Sequence, residues 1–209
     1  MAVSKFSVAV KDLTGLPGLS VSHLAPENAL KGSWVKVLSA PIQTASQKDL
    51  LIDVSLVTSL FTDTSVSSQL LQKVSAQAEA CIDVQVLVDG KTLDKWPLSG
   101  PNTPVTFDRR AQTLIAQFAG LAVTDPVTGI VTVTSEFLEF ILDTTAAHSF
   151  KWVVADLQQG NHTVEVQARL TIDSNVSSGG SAAAAGCVGW GSCVVEEIRL
   201  IRGATPLTP

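Results

Sequence analysis

Apolar and polar residues alternate along much of this chain, and the alternation predicts β-strands. The clearest case is residues 163–172, in which every second residue is apolar. Residues 49–62 and 82–88 show the same period of two. Side chains of a strand point alternately to its two faces, so each segment predicts a strand with one face on a core. The pair Asp89 and Gly90 follows residues 82–88 and suits a tight hairpin turn.

Other segments carry weaker or different patterns. Residues 69–80 fit either a helical turn or a strand. Residues 93–104 hold three prolines, each without an N–H to donate, and predict a loop. Residues 174–186 are rich in Ser, Gly and Ala and also predict a loop, which a final strand at 194–201 follows. A strand that begins at Ser33 is expected to end at Pro41.

Composition agrees with a mostly β protein. The chain has 26 Val, 19 Thr and 9 Ile, so 54 of its 209 residues are β-branched and suit a pleated sheet. Hydrophobic residues make up 45% of the chain and charged residues 16%, which is typical of a folded domain. We predict an all-β fold, an antiparallel β-sandwich with residues 32–209 as one domain and 1–31 as an N-terminal arm carrying one short strand.

Charge and hydropathy narrow the range of partners. The net charge is −5 and there is no basic cluster, so nucleic acid is not an expected partner. No run approaches the roughly 18 to 20 apolar residues of a spanning helix, so we expect no membrane insertion. The first twenty residues lack the features of a secretory signal. Localisation is left open, with an inclination to a virion or cell-surface assembly over the free cytoplasm.

Motifs for catalysis are weak. His23, His148 and His162 lie far apart and lack metal-ligand spacing, so we predict no metal site and no cofactor. His162 is expected to span the turn at Gly160. The chain has no Gly-x-Ser-x-Gly elbow and no phosphate-binding loop. We therefore expect no enzymatic activity.

Several residues are candidates for contact with another subunit or a ligand. The first group comes from a stretch that is apolar on both sides, the second consists of tryptophans in loops, and the third is a charge cluster after the proline-rich loop. The candidates are Phe137, Phe140 and Leu142, then Trp96 and Trp190, then Arg109 and Arg110. For the two arginines, surface or structural pairing is favoured over ligand binding.

The three cysteines do not imply a disulfide framework in a chain of this size. Cys81 heads a predicted strand and is interpreted as a small core residue. Cys187 and Cys193 bracket five residues that include two glycines and Trp190. A hairpin there could bring the two sulfurs within bonding range, so a disulfide between them is possible.

The C-terminal third carries a resemblance to a known group of folds. Its residues are Phe150-Lys151-Trp152-Val153-Val154, then Gly160-Asn161-His162-Thr163-Val164 at the start of a long strand, and finally Val195-Glu196-Glu197-Ile198-Arg199-Leu200. This stretch resembles the closing strands of complement-type and tumour-necrosis-factor-like jelly-roll heads in bacterial collagen-like proteins and bacteriophage fibres. The resemblance covers about 60 residues and implies a jelly-roll-like sandwich that forms trimers. The whole chain is also similar to prokaryotic proteins, a likeness that implies no activity.

The expected function is a non-enzymatic structural role: a self-associating jelly-roll subunit, trimeric or larger, of a fibre, shell or surface attachment structure. The apolar excess with few charges favours extended subunit contacts. An alternative is a lectin-like module that binds a glycan through Trp96 and Trp190. A third hypothesis, a sandwich hydrolase, requires a histidine within hydrogen-bond reach of a serine, cysteine or carboxylate.

Overall fold

The computed structural model describes residues 6–11, 30–68, 73–93, 104–118, 121–134 and 136–199. The described chain consists of strands joined by turns. In chain order the strands are β1 (Phe6–Lys11), β2 (Leu30–Lys31), β3 (Val35–Thr44), β4 (Lys48–Ser68), β5 (Lys73–Val88), β6 (Lys91–Thr92), β7 (Val105–Gln117), β8 (Leu121–Thr124), β9 (Val131–Thr134), β10 (Glu136–Leu157), β11 (Gly160–Val176) and β12 (Gly180–Ile198).

Two antiparallel sheets face each other. The front sheet has the order β1-β12-β4-β10. In the back sheet β11 and β5 are central, β2 and β3 lie along the free side of β11, and β6 and β7 lie along the free side of β5. The chain changes between these two sheets from β1 to β2, β3 to β4, β4 to β5, β7 to β10, β10 to β11, and β11 to β12. This strand order is that of a jelly-roll sandwich, as predicted.

The predicted alternation decides which side chains fill the core. Every second residue of β4 from Leu50 to Val66 is buried, and so is every second residue of β11 from Val164 to Ile172. By sequence, the segment 69–80 fits either a helical turn or a strand. Its residues 73–80 form the first half of β5, where Ala76, Ala78 and Ala80 are fully buried, and residues 69–72 lie outside the described ranges. Trp152 of β10 is also fully buried between the sheets.

The hairpin turn predicted at Asp89 and Gly90 is confirmed. The backbone φ angles are +52° at Asp89 and +74° at Gly90, and β6 returns to pair with the end of β5. Positive φ at both central residues gives a two-residue turn the twist that matches its flanking strands, and Asp-Gly is a favoured pair for it. In contrast, Pro41 does not end β3. It lies within that strand opposite Thr163 of β11. The N–H and C=O of Thr163 both bond Asp89 on the other side of β11, so this pair exchanges no hydrogen bond and the missing N–H of Pro41 breaks none.

The loop predicted for residues 174–186 is wrong. Residues 174–176 still belong to β11, and β12 already begins at Gly180. Ala182 and Ala184 are buried within the sandwich. Small residues are needed there because the opposing core is close: a Cβ added to Gly186 would lie 2.8 Å from Leu170 Cδ1. The small residues here are therefore explained by tight packing of the two sheets and not by a flexible loop.

The arm contributes a strand to the front sheet of its own chain. Residues 6–11 form β1 and pair antiparallel with residues 191–196 of β12. Leu30 and Lys31 pair with Ile172 and Thr171 of β11. Within the described ranges, no helix has the length and hydropathy needed to cross a bilayer.

Candidate interaction surface

The edge strand of the front sheet exposes a run of large apolar side chains. Strand β10 pairs with β4 on one side and ends the strand order of that sheet. Phe137, Phe140 and Ile141 are 63%, 52% and 54% exposed. Leu138, which follows Phe137, and Leu142, which follows Ile141, are also exposed. We call these five residues the β10 patch: Phe137, Leu138, Phe140, Ile141 and Leu142.

The patch includes both faces of β10. Phe140 and Leu142 lie opposite the buried residues Thr64 and Thr62 of β4, so they share the face that points toward the back sheet. Further along β10 that same face is covered, and Trp152 is fully buried. The described chain therefore closes one end of the sandwich and leaves the apolar side chains at the β10 patch in contact with solvent. A stretch that is apolar on both sides fits either a strand covered on both faces or a piece of a subunit interface, and within one chain these side chains are not covered.

Polar residues of β7 join the two sheets beside the patch. Gln112 is buried; its Oε1 accepts a hydrogen bond from Thr62 Oγ1 at 2.6 Å, and its Nε2 donates to Thr64 Oγ1 at 2.7 Å. The same Nε2 donates to the Phe140 carbonyl at 2.6 Å. Asp108 accepts a 2.7 Å hydrogen bond from the hydroxyl of the buried Thr58. Buried polar groups are costly unless bonded, and these contacts satisfy the front-sheet threonines.

The two predicted arginines have different roles because adjacent residues of a strand point to opposite faces. Arg110 donates to the Leu60 carbonyl at 2.9 Å and to the Leu142 carbonyl at 3.4 Å, and it also bonds Thr144 Oγ1. It thus connects β7 to both β4 and β10. Arg109 is on the outer face and forms a two-point ion pair with Glu79, with distances of 2.7 and 3.0 Å. Both arginines therefore form polar contacts within the chain.

Trp190 is placed on the outer face of the front sheet by a β-bulge. Val188 pairs with Thr58 and Gly191 with Leu56, so Gly189 and Trp190 together oppose the single residue Val57. Gly191 faces inward, and a Cβ there would lie 2.4 Å from Leu56 Cδ2. The Trp190 residue is 65% exposed. The other predicted loop tryptophan, Trp96, lies outside the described residues.

A groove of about 400 Å³ lies beside Trp190. Its lining comes from β1, β4, β10 and β12, and so spans the width of the front sheet. The lining residues are Val10, Ser55, Leu56, Val57, Ala147, His148, Ser149, Trp190, Gly191 and Ser192. The sequence pointed to Trp190, but the neighbouring residues could be found only from the strand register.

The possible disulfide between Cys187 and Cys193 is not formed, and both residues are free thiols. No hairpin separates them: both belong to β12, where Cys187 pairs with Ser59 and Cys193 with Val54. The partner residues Ser59 and Val54 are five positions apart on β4. This spacing corresponds to roughly 16 Å along a strand, far beyond the Cα separation that a disulfide spans. The two residues also lie on opposite faces, because Cys193 is buried with Val54 and Cys187 follows the outward-facing register of Ser59.

The described histidines are parts of structural contacts. His162 Nδ1 is 2.7 Å from the Asp89 carboxylate and its Nε2 is 2.9 Å from the Gln158 carbonyl, so it spans the turn before β11 as predicted. His148 Nε2 is 3.6 Å from Asp108, and its ring packs edge-on against Phe107. The histidine–carboxylate proximity required for the hydrolase hypothesis is present, but the Thr58 hydroxyl donates to Asp108 and not to His148. In the described ranges, no three His, Cys, Asp or Glu side chains form a metal-binding group.

Comparison with known proteins adds little to what the strand order shows. No family model and no curated protein matches the chain. Among solved structures, a tumour necrosis factor described as Eiger TNF from S. frugiperda aligns with 97% of this chain and 99% of its own, at 12% identity and a TM-score of 0.20. The Gt strain structure of infectious bursal disease virus aligns with 98% of this chain and 43% of the viral chain, at 13% identity and a TM-score of 0.20. TM-scores this low add nothing to the fold assignment, which rests on the strand order.

Proposed function

We propose that this chain is a non-enzymatic structural subunit that assembles with copies of itself, as a trimer or a larger assembly, through the β10 patch. The observation that carries the proposal is the exposure of five large apolar side chains within residues 137–142, where only Glu139 is polar, on both faces of an edge strand. Soluble monomers rarely expose contiguous apolar patches of this kind, and edge strands are also templates for pairing with another chain.

The position of the patch favours a second copy of the chain as its partner. The patch lies on the edge strand of the front sheet, beside the polar contacts of Arg110 and Gln112. Association there would remove Phe137, Phe140 and Ile141 from water without disturbing the closed end of the sandwich around Trp152. Such a subunit would suit a fibre, shell or surface attachment structure in a virion or on a cell surface.

A double variant tests the proposal. Replacing Phe137 and Phe140 with serine removes apolar surface while leaving the backbone carbonyl that Gln112 contacts. In sedimentation velocity, the wild type is expected to sediment as an oligomer and the F137S/F140S variant near the 21.9 kDa of one chain. Val127→Ser is the matched control, because Val127 is 90% exposed in the turn between β8 and β9. A double variant that melts like the wild type and keeps its oligomeric mass would refute the role of the patch.

A second candidate function, carbohydrate binding, is favoured by one observation. Trp190 holds a large aromatic ring 65% exposed beside a groove, a position that packing within one chain does not require. Exposed aromatic rings combine an apolar face with a polar edge and suit contact with amphipathic ligands.

A further inference from the structure

Three serines form a row across the outer face of the front sheet. Ser55 of β4 lies directly opposite Ser192 of β12 on one side and Ser149 of β10 on the other. Neighbouring strands are about 4.8 Å apart, so the three hydroxyls span about 10 Å. Within the described part of the chain, the side chains of Ser55 and Ser192 make no hydrogen bond, whereas Ser149 donates to Asp53 at 3.0 Å. The row therefore offers hydroxyl groups that can still donate and accept.

Trp190 lies beside this row. The bulge places it opposite Val57, the second residue after Ser55 on the same face of β4. Val57 in turn pairs with Ala147 of β10, and these two apolar residues line the groove next to Trp190. Val10, 69% exposed, closes the β1 side of the groove. A flat aromatic ring and a line of hydroxyls thus share one open groove of about 400 Å³.

The charges at the groove compensate each other. Asp53 neighbours the serine row on β4 and pairs with Lys151 Nζ at 3.3 Å. Asp53 lies directly opposite Lys151 in the strand register. A bound anion would have to compete with Asp53 for this ammonium group. The groove is therefore suited to a neutral ligand more than to a phosphate or a carboxylate.

We propose that the groove at Trp190 binds a neutral saccharide of about disaccharide size. One pyranose ring stacks its C–H face on the indole, and its hydroxyls bond Ser55, Ser192 and Ser149, with the Asp53 carboxylate as a further acceptor. This inference rests on the second candidate function and not on self-assembly. The groove contains residues 147–149 of β10, whereas the β10 patch ends at Leu142, so both contacts can exist in one assembly.

Titration with neutral disaccharides tests the inference on the full chain. Lactose, cellobiose and chitobiose are added to the wild type and followed by saturation-transfer NMR and tryptophan fluorescence. We expect at least one of them to bind with a Kd on the order of 1 mM, as befits a small open site with few polar contacts. Trp190→Ala is expected to weaken that binding roughly tenfold or more. Trp190→Phe, which keeps an aromatic face, should retain most of it.

Matched controls keep the result interpretable. Trp34→Phe changes a tryptophan next to Arg169 of the back sheet and should leave saccharide binding unchanged. Ser55→Ala should weaken binding severalfold without altering the melting temperature. Absence of binding by all three sugars, or undiminished binding by Trp190→Ala, overturns the inference. If Trp190 instead becomes shielded from acrylamide as the protein associates and no sugar binds, a second copy occupies the groove and the inference fails. The mass of Trp190→Ala, measured in parallel, reports separately on self-assembly.

Discussion

His162 Nδ1 lies 2.7 Å from the Asp89 carboxylate, and this contact ties the turn after β5 to the start of β11. The second oxygen of Asp89 accepts the backbone N–H of Thr163 at 2.9 Å. Asp89 thus contributes in two ways. Its carboxylate bonds β11, and its backbone adopts the positive φ that the hairpin turn requires. The sequence motif Gly-Asn-His-Thr-Val is explained by this contact between neighbouring strands.

The first prediction concerns Asp89→Asn. Asparagine tolerates the left-handed backbone, so the turn should persist, but the charge-assisted bond to His162 is lost. We expect a loss of about 1 kcal/mol in the free energy of unfolding, a modest value because the Asp89 side chain is 40% exposed. Chemical denaturation at pH 7 measures it. Asp125→Asn, in the β8–β9 hairpin, is the control and should not change global stability.

The same carboxylate gives a pH dependence. Burial raises the pKa of Asp89, but hydrogen bonds from His162 and the Thr163 N–H outweigh that effect and hold the pKa below its usual range. A depressed folded-state pKa means that the contribution is complete above the unfolded value of about 3.9 and is lost as the pH falls through the lower folded value. The part of the stability difference between wild type and Asp89→Asn that comes from this ionisation should therefore be complete above about pH 5 and shrink below about pH 4. A difference that grows toward low pH would contradict this assignment.

Arg109 and Arg110 form a natural pair of variants. Arg110→Ala removes the donors that connect β7 to the Leu60 and Leu142 carbonyls, and we expect it to cost about 2 to 3 kcal/mol of stability. Arg109→Ala removes only a solvent-exposed ion pair with Glu79 and should destabilise the protein far less than Arg110→Ala does. Equal effects of the two substitutions on urea denaturation would show that Arg110 does not connect the sheets as described.

Gly191 tests the bulge that positions Trp190. Alanine at this inward-facing position would bring its Cβ within 2.4 Å of Leu56 Cδ2, so the bulge or the core must shift. Overpacking of this kind costs about 1 to 3 kcal/mol. Ser192→Ala changes the next residue, on the outer face, and should be close to neutral in a thermal melt. A fully stable Gly191→Ala would place the bulge elsewhere in β12.

Thiol chemistry distinguishes the three cysteines. Burial, with a smaller contribution from Asp53, raises the pKa of Cys193 to about 12, and burial together with Asp83 raises that of Cys81 to about 11. Only the thiolate reacts rapidly, so these two should be slow at pH 8. Cys187, half-buried on the outer face, should supply the one fast-reacting thiol of the native protein. Maleimide labelling read by mass spectrometry, with Cys187→Ser as the control, measures this; three thiols should react in denaturant without any reductant.

Much of this fold can be predicted from the sequence because the period-two pattern records which face of a strand is buried. In β4 and β11 the predicted faces are the buried ones. The pattern fails at residues 180–186, where alanine and glycine carry little strand signal although tight packing against Leu170 requires them. It also indicates that residues 137–142 are apolar on both sides, but their exposure depends on β10 being an edge strand, which is a property of the topology.

The interaction surface shows the same division. Trp190 can be selected from the sequence as a large ring between two glycines. Its neighbours Ser55 and Ser149 are 94 residues apart and meet only through the register of β4 and β10. The Arg110 contacts likewise join three strands that no local pattern connects. The residues that meet at the Trp190 groove and beside the β10 patch are therefore determined by long-range strand pairing. No local sequence pattern indicates that pairing.

The measurement that tests the central claim most directly is the molar mass of the wild-type chain by light scattering behind a sizing column, over a tenfold concentration range and with and without reductant. Assembly through the β10 patch predicts three times 21.9 kDa or more, unchanged by reductant because the described cysteines are free. A stable 21.9 kDa monomer across the whole range would contradict self-assembly.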